Sequence, residues 1–157
     1  MIRRIDNGQV FCEALHVDEC GCESWGNFTD EQISNLCTQY QIYEKQLEDN
    51  GTFDTRDDFT LVTQPFFNEV TTPPLTENGQ VDLTFFCPDC FHFSQKGHAG
   101  VSSYLWRNMV EPVGSKTTKA NLTAPALPLN CPDPTCPFIR TTKNSLNCTP
   151  YWTDAAW

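Results

Sequence analysis

Nine cysteines in a chain of 157 residues constrain its fold more than any other feature, because every disulfide would join two segments permanently. A cytosolic protein of this size rarely carries so many, so they indicate an oxidising compartment. The odd number leaves at least one cysteine free or paired with something outside this chain. Their spacing does not fix which cysteine pairs with which.

Four N-x-S/T sequons point to the same compartment. They lie at Asn27, Asn50, Asn121 and Asn147, which are candidate glycosylation sites. The first residues, "MIRRIDNGQVFCEAL", include the basic residues of a signal peptide but lack its apolar run of about 7–15 residues. We therefore predict an extracellular or secretory-pathway chain whose signal peptide is not present in this sequence.

Charge and hydropathy argue against two classes of interaction. Twenty acidic residues against ten basic ones give a net charge of −10, which repels nucleic-acid phosphates. The longest apolar runs fall far short of the roughly 20 residues needed to cross a bilayer. We expect a single core, no nucleic-acid partner and no transmembrane segment.

The clearest secondary-structure signal is a helix over residues 30–49. Thr29 and Gln32 fit a capping box at its start, and Asn50-Gly51 ends the pattern. Apolar residues recur within it at helical spacing: Ile33, Leu36, Cys37, Tyr40 and Leu47. The spacing predicts an amphipathic helix with one buried stripe.

Two further elements follow in sequence. Residues 58–64 have the β-branched and aromatic content of a buried strand, which Pro65 would stop. A turn-rich surface loop is expected over residues 68–80. A second helix is then marked by apolar spacing that cannot pass Pro112; its markers are His98, Val101, Leu105 and Met109.

The stretch "CPDCFHFSQKGHAG", residues 87–100, concentrates groups that can carry chemistry. Asp89 and His92 are three residues apart on a predicted tight turn, so the carboxylate can accept a hydrogen bond from the imidazole Nδ1–H. Nε2 would then point outward as a general base. A lone D-x-x-H also occurs in ordinary surface turns, so the function of this pair depends on its context.

The same stretch could instead hold a metal. Cys87 and Cys90 with Cys20 and Cys22 could supply four thiolates, and His92 is a fifth candidate ligand. In an oxidising compartment such thiols tend to form disulfides. We therefore predict disulfides here, with no metal and no cofactor.

Two blocks of the sequence resemble the phospholipase B family, within the GDSL (SGNH) esterases and lipases. "CPDCFHFSQKGHAGVSSYLWRNMVEPVGSKT" is similar to the family's C-terminal catalytic segment, and "NGTFDTRDDFTLVTQPFF" to the helix-to-strand passage upstream of it. The resemblance implies an α/β fold class: the C-terminal portion of an SGNH-type α/β/α sandwich with a parallel sheet. That portion would occupy residues 1–115, followed by a linker-like, cysteine-containing tail rich in Pro, Thr and Asn over residues 116–157.

The resemblance also implies an activity. Members of the family cleave acyl esters of phospholipids and lysophospholipids by a Ser-His-Asp mechanism, and Asp89 and His92 match the acid and the base. The family's G-D-S nucleophile motif is absent from these residues, and "WGNFTD" is not its G-x-N-D. Seven serines occur, none in that setting: Ser24, Ser34, Ser94, Ser102, Ser103, Ser115 and Ser145. We expect no nucleophile in this chain and no hydrolysis by it alone.

Three explanations stay open: a fragment of a longer protein, a subunit completed by another chain, or a noncatalytic relic. We predict the C-terminal fragment of a secreted phospholipase B-like lipase, whose substrate is a phospholipid or lysophospholipid once an N-terminal part completes it. The alternative is a secreted, disulfide-stapled glycoprotein module with a structural or binding role.

Aromatic residues and the other histidines have simpler interpretations. Five phenylalanines could line an acyl-chain pocket, although core packing is the commoner role: Phe59, Phe66, Phe67, Phe85 and Phe86. Phe91 and Phe93 flank His92 and suit either role. We expect His98 to be structural, and His16 carries no pattern.

Overall fold

Three helices and three short 3₁₀ turns make up the regular structure of the computed structural model, which describes residues 10–21 and 26–151. Helix α1 spans Val10–Glu19, α2 spans Asp30–Asp49 and α3 spans Gln95–Val110. The 3₁₀ turns are Pro65–Phe67, Leu83–Phe85 and Thr149–Tyr151. In the part of the chain that the structure describes, no helix combines the length and apolarity needed to cross a bilayer.

Helix α2 begins and ends where its capping signals predict. Thr29 Oγ1 accepts a hydrogen bond from the Gln32 backbone N–H at 3.2 Å, and Gln32 Oε1 accepts one from the Thr29 N–H at 2.8 Å. The predicted buried stripe is wrong, because Leu36 and Tyr40 are 51% and 72% exposed. Periodicity reveals that a helix has an apolar face, but it does not supply the element that would cover it.

Helix α3 packs closely on the 3₁₀ turn Leu83–Phe85. Ser94 caps its start, with Oγ accepting a hydrogen bond from the Gly97 N–H at 3.2 Å. A Cβ on Gly97 would overlap the carbonyl oxygen of Phe85, so this crossing needs glycine. The helix ends at Val110, before Pro112, as its pattern predicts.

The core is a group of aromatic side chains packed around α3. Phe66, Phe85, Phe86 and Tyr104 are each no more than 6% exposed. The rings of Phe85 and Phe86 meet edge to face, with their centroids 5.5 Å apart. Core packing is therefore the role of these phenylalanines in this structure, whereas Phe59 is 56% exposed and lies outside the core.

The strand predicted over residues 58–64 is wrong, since this segment pairs with no described strand. Its Thr63 instead donates two hydrogen bonds to Glu48 Oε2, from the backbone N–H at 2.7 Å and from Oγ1 at 2.6 Å. The described residues contain two isolated antiparallel bridges, Leu75–Val81 and Phe86–Phe93, and no sheet. The parallel sheet stays a prediction.

Residues 116–151 have little regular structure but hydrogen-bond to helix α3. Asn108, which is fully buried, donates from Nδ2 to the Thr117 carbonyl at 3.1 Å. The Arg140 N–H donates to the Met109 carbonyl at 2.8 Å. The segment is thus attached to the body of the protein, and the division of the chain after residue 115 stays a prediction.

Two disulfides cross-link the described chain. Cys12–Cys90 joins residues 78 apart in sequence, and Cys136–Cys148 joins residues 12 apart. Both restrict the unfolded chain, and the longer loop restricts it more. Three other cysteines carry free thiols: Cys37, Cys87 and Cys131.

Candidate acid–base site

The turn over residues 87–92 is closed at its base by the antiparallel bridge between Phe86 and Phe93. Inside that bridge, the Cys87 N–H donates a hydrogen bond to the His92 carbonyl at 2.8 Å. The two ends of the turn are therefore fixed to each other. Because the bridge joins the core and the start of α3, the turn stands on a rigid base.

Asp89 and His92 form the hydrogen-bonded pair that their spacing predicts. Asp89 Oδ2 lies 2.8 Å from His92 Nδ1. The second oxygen, Oδ1, accepts the backbone N–H groups of Phe91 at 2.9 Å and of His92 at 3.0 Å. One carboxylate thus orients both the backbone and the ring of the histidine, and a proton on Nδ1 leaves Nε2 as the acceptor.

The electrostatics of the pair suit proton transfer. The hydrogen bond from the His92 side chain, reinforced by backbone N–H groups, lowers the pKa of Asp89 below its ordinary value of 3.8. The carboxylate therefore stays ionised at neutral pH and can stabilise an imidazolium. The His92 side chain is 72% exposed, so an incoming group can reach its ring.

Helix α1 supports the turn from one side. The Cys12–Cys90 disulfide fixes α1 to the residue after Asp89, and Cys90 itself has a φ of +58°, unusual for a residue other than glycine. His16 is 1% exposed, and its ring meets that of Phe91 edge-on at 6.4 Å. No sequence pattern predicts this role for His16, because its neighbour lies 75 positions away in the chain.

Phe93 supports the turn from the core side. Its ring stacks on Phe67 with centroids 6.2 Å apart and meets Phe85 edge-on at 5.6 Å. His98 on α3 contacts Phe93 at 5.8 Å, also edge-on. His98 therefore packs against a residue next to His92, while Asp89 orients the His92 ring.

The alternative metal site is not assembled as proposed. Cys90 is bonded to Cys12, so it is not a thiolate ligand. Cys22 lies outside the described residues. Among residues 10–21 and 26–151, no three His, Cys, Asp or Glu side chains lie together as a metal site requires.

All four sequon asparagines are exposed. Asn121 and Asn147 accept the backbone N–H of the sequon threonine on Oδ1, at 3.2 Å and 3.0 Å respectively. Asn27 and Asn50 flank helix α2 at its two ends. The side chains are accessible to modifying enzymes, and glycosylation itself stays a prediction.

The buried carboxylate of Glu48 is a second feature that the sequence does not predict. Glu48 is 5% exposed and accepts hydrogen bonds from Thr63 and from Lys45 Nζ, the latter at 3.0 Å. Burial raises the pKa of Glu48, but these hydrogen bonds outweigh it and lower the pKa below 4.5. Glu48 anchors α2 to the chain beyond it, and no local pattern marks a residue for that role.

An ionised carboxylate that holds an accessible imidazole by Nδ1 is the arrangement that Ser-His-Asp hydrolases use for their acid and base. The pair lies within the part of the chain that resembles known proteins. The chain is related to the phospholipase B family, as a partial match over about three-quarters of its length.

This relationship rests on three curated mammalian proteins, each named "Phospholipase B1, membrane-associated". The identity is 44% over 129 residues for the Mus musculus protein, 45% over 123 residues for the Homo sapiens protein and 50% over 114 residues for the Rattus norvegicus protein. These matches cover 80%, 74% and 73% of this chain. Because each match covers at least 73% of the chain, it includes residues 87–93 wherever it begins.

The chain spans only 8–9% of the length of these relatives. No protein-family profile matches it, and no solved structure matches it. The comparisons therefore establish a relationship for one segment of much larger proteins.

Proposed function

We propose that this chain is the acid–base segment of a secreted phospholipase B-like ester hydrolase, with Asp89 and His92 as the acid and the base of its triad. The observation that carries the proposal is the Asp89 Oδ2–His92 Nδ1 hydrogen bond of 2.8 Å, within a segment 44–50% identical to phospholipase B1 proteins. The substrate is a phospholipid or lysophospholipid. Two disulfides and four sequons support the secretory pathway as its location.

The mechanism assigns each atom of the pair one task. His92 Nε2 accepts the proton of a serine hydroxyl as that oxygen attacks the acyl carbonyl. Asp89 stabilises the imidazolium and keeps its ring in place. His92 then returns the proton to the glycerol oxygen that leaves, and a second cycle with water releases the fatty acid.

The serine and the oxyanion donors come from a segment outside these residues. None of the seven serines lies in a G-D-S motif, and an Asp–His pair alone lacks the two largest contributions to ester cleavage. We propose that the missing segment also supplies a parallel sheet, and that the apolar face of α2 packs against it. The 51% exposed Leu36 and 72% exposed Tyr40 support this packing.

A chimera tests the proposal, since it supplies what the chain lacks. The matching segment of the mouse relative is replaced by this chain, and fatty-acid release from lysophosphatidylcholine is measured. We expect a rate within about tenfold of the unmodified mouse protein, because about half of the matched residues are identical. A chimera that is secreted and correctly disulfide-bonded, yet hydrolyses nothing, would contradict the proposal.

The second candidate is a secreted, disulfide-stapled module that binds a partner without catalysis. The observation in its favour is a shallow apolar groove of about 330 Å³ on the exposed side of α2, lined by Phe28, Gln32, Asn35, Leu36 and Gln39. A folded but inactive chimera would favour this candidate over the hydrolase.

A further inference from the structure

We propose that Cys87 and Cys90 form a thiol–disulfide exchange site, at which the disulfide of Cys90 moves from Cys12 to Cys87. Cys87 and Cys90 lie in the same turn, and Cys90 is bonded to Cys12 of helix α1. Cys12 and Cys90 are bonded to each other and are 1% and 5% exposed. Cys87, three residues before Cys90, is half-buried and carries a free thiol.

The backbone of the turn already fits the alternative bond. The Cys90 N–H donates to the Cys87 carbonyl at 2.9 Å, which closes a four-residue turn. Such a turn keeps the Cα atoms of its end residues within about 7 Å. Disulfides join Cα atoms about 4.4–6.8 Å apart, so a Cys87–Cys90 bond requires little movement of the backbone.

The thiol of Cys87 is held at the base of the turn. Its Sγ donates a hydrogen bond to the Phe93 carbonyl at 3.3 Å. This hydrogen bond must break before Cys87 can attack. The structure therefore represents the chain before the exchange. Rotation about the Cα–Cβ bond of Cys87 moves Sγ away from Phe93 while the backbone stays in place.

The chemical step consumes no oxidant and no reductant. Cys87 loses its proton to solvent, and the thiolate attacks Cys90 Sγ. The new Cys87–Cys90 bond forms as the Cys12–Cys90 bond breaks, and Cys12 leaves as a thiolate that takes a proton from solvent. One disulfide and one thiol are present before and after the step.

The exchange releases helix α1 from the acid–base turn. After it, α1 retains only noncovalent contacts with that turn, among them the ring of His16 against Phe91. Val10 and Phe11 at the start of α1 are 79% and 65% exposed, so they add little to its attachment. The exchange itself does not depend on the proposed hydrolase function; only its consequence for hydrolysis rests on that function.

Disulfide mapping of the purified full chain tests the proposal without any activity assay. The chain is equilibrated in glutathione buffers of different redox ratio, quenched with acid and labelled with a maleimide. Its peptides are then identified by mass spectrometry. Among chains with an intramolecular disulfide at Cys90, we expect at least about a tenth to carry Cys87–Cys90, with the maleimide on Cys12. Because the step is electron-neutral, that fraction should not change with the glutathione ratio.

Two variants complete the experiment. Cys87→Ser should leave Cys12 as the only intramolecular partner of Cys90, and it should slow amide hydrogen exchange over Val10–Glu19 several-fold. Cys37→Ser removes an exposed free thiol on α2 and should change neither measurement. If chains with an intramolecular disulfide at Cys90 carry maleimide on Cys87 and never on Cys12 in every buffer, and hydrogen exchange is equal in the wild type and Cys87→Ser, the proposal is overturned.

Discussion

Asp89 divides its two carboxylate oxygens between the backbone and the ring of the same histidine. Oδ1 holds the N–H groups of Phe91 and His92, and Oδ2 holds the imidazole. Loss of the whole side chain would therefore disturb both the turn and the tautomer of His92. At the scale of single residues, this double contact fixes the His92 ring relative to the backbone of the turn.

The His92→Ala substitution tests the catalytic role in the active chimera. Because members of a triad act as a unit, we expect kcat to fall by about 10⁶-fold. Asp89→Asn keeps the shape but changes the tautomer preference, so a smaller loss of about 10⁴-fold is expected. The measurement is the initial rate of lysophosphatidylcholine hydrolysis.

His98→Ala is the matched control, since His98 contacts Phe93 but forms no contact with Asp89 that the structure shows. Its chimera should keep kcat within about tenfold of the parent. Near-normal turnover in His92→Ala would remove His92 from the base role, and a large loss in His98→Ala would make His98 the next candidate.

At the scale of elements, the crossing of α3 over the turn Leu83–Phe85 fixes the base of the site. Gly97 lies where a side chain would strike the Phe85 carbonyl, whereas a Cβ on Gly100 would meet the Phe85 ring at an ordinary 3.5 Å. Phe85 also accepts the Ser94 N–H on its carbonyl at 3.0 Å. The helix cannot move away without losing that hydrogen bond.

We therefore expect Gly97→Ala to destabilise the fold by about 1–3 kcal/mol through overpacking. Gly100→Ala should be neutral or stabilising by up to about 1 kcal/mol, since alanine is the better helix former. Urea unfolding of each variant, followed by circular dichroism, gives the comparison. Equal stability of the two variants would show that α3 tolerates a side chain at the crossing.

The attachment of α2 through Glu48 gives a pH dependence with a definite sign. Its folded pKa lies below the ordinary 4.5, so its stabilising contribution is present above about pH 4.5 and is lost as the pH falls through the folded value. Glu48→Gln should thus cost about 1–2 kcal/mol at pH 7, and the difference should shrink below pH 4.

Glu44→Gln, at an exposed position of the same helix, is the control and should change stability by less than about 0.5 kcal/mol. The free energy of unfolding in urea is measured for both variants at pH 7 and pH 3. A cost for Glu48→Gln that is the same at both pH values would mean that its ionised form is not what anchors α2.

At the scale of the whole molecule, the proposed triad is incomplete within these residues. His92 has an ionised partner and an exposed ring, while the G-D-S motif of the proposed nucleophile is absent from the 157 residues. An Asp–His pair can still polarise a water molecule. Without a positioned nucleophile and oxyanion donors, however, it lacks the main sources of rate acceleration.

The purified chain alone should therefore hydrolyse lysophospholipids and short-chain esters at rates barely above background. Labelling with a serine-reactive fluorophosphonate should modify no serine stoichiometrically. The active chimera serves as the positive control for both assays. Covalent labelling of one serine, together with turnover that persists through purification, would show that one of the seven serines is a nucleophile.

Features that depend on neighbours within a few residues could be predicted from the sequence. The capping box of Thr29 and Gln32 sets the start of α2, and the spacing of Asp89 and His92 allows their hydrogen bond, because both act over three positions. Features that need a distant partner became visible only in the folded chain. The Cys12–Cys90 pairing spans 78 residues, and Glu48 is buried only because Thr63 reaches it. The apolar face of α2 likewise stays exposed, since periodicity encodes a face but not what packs against it.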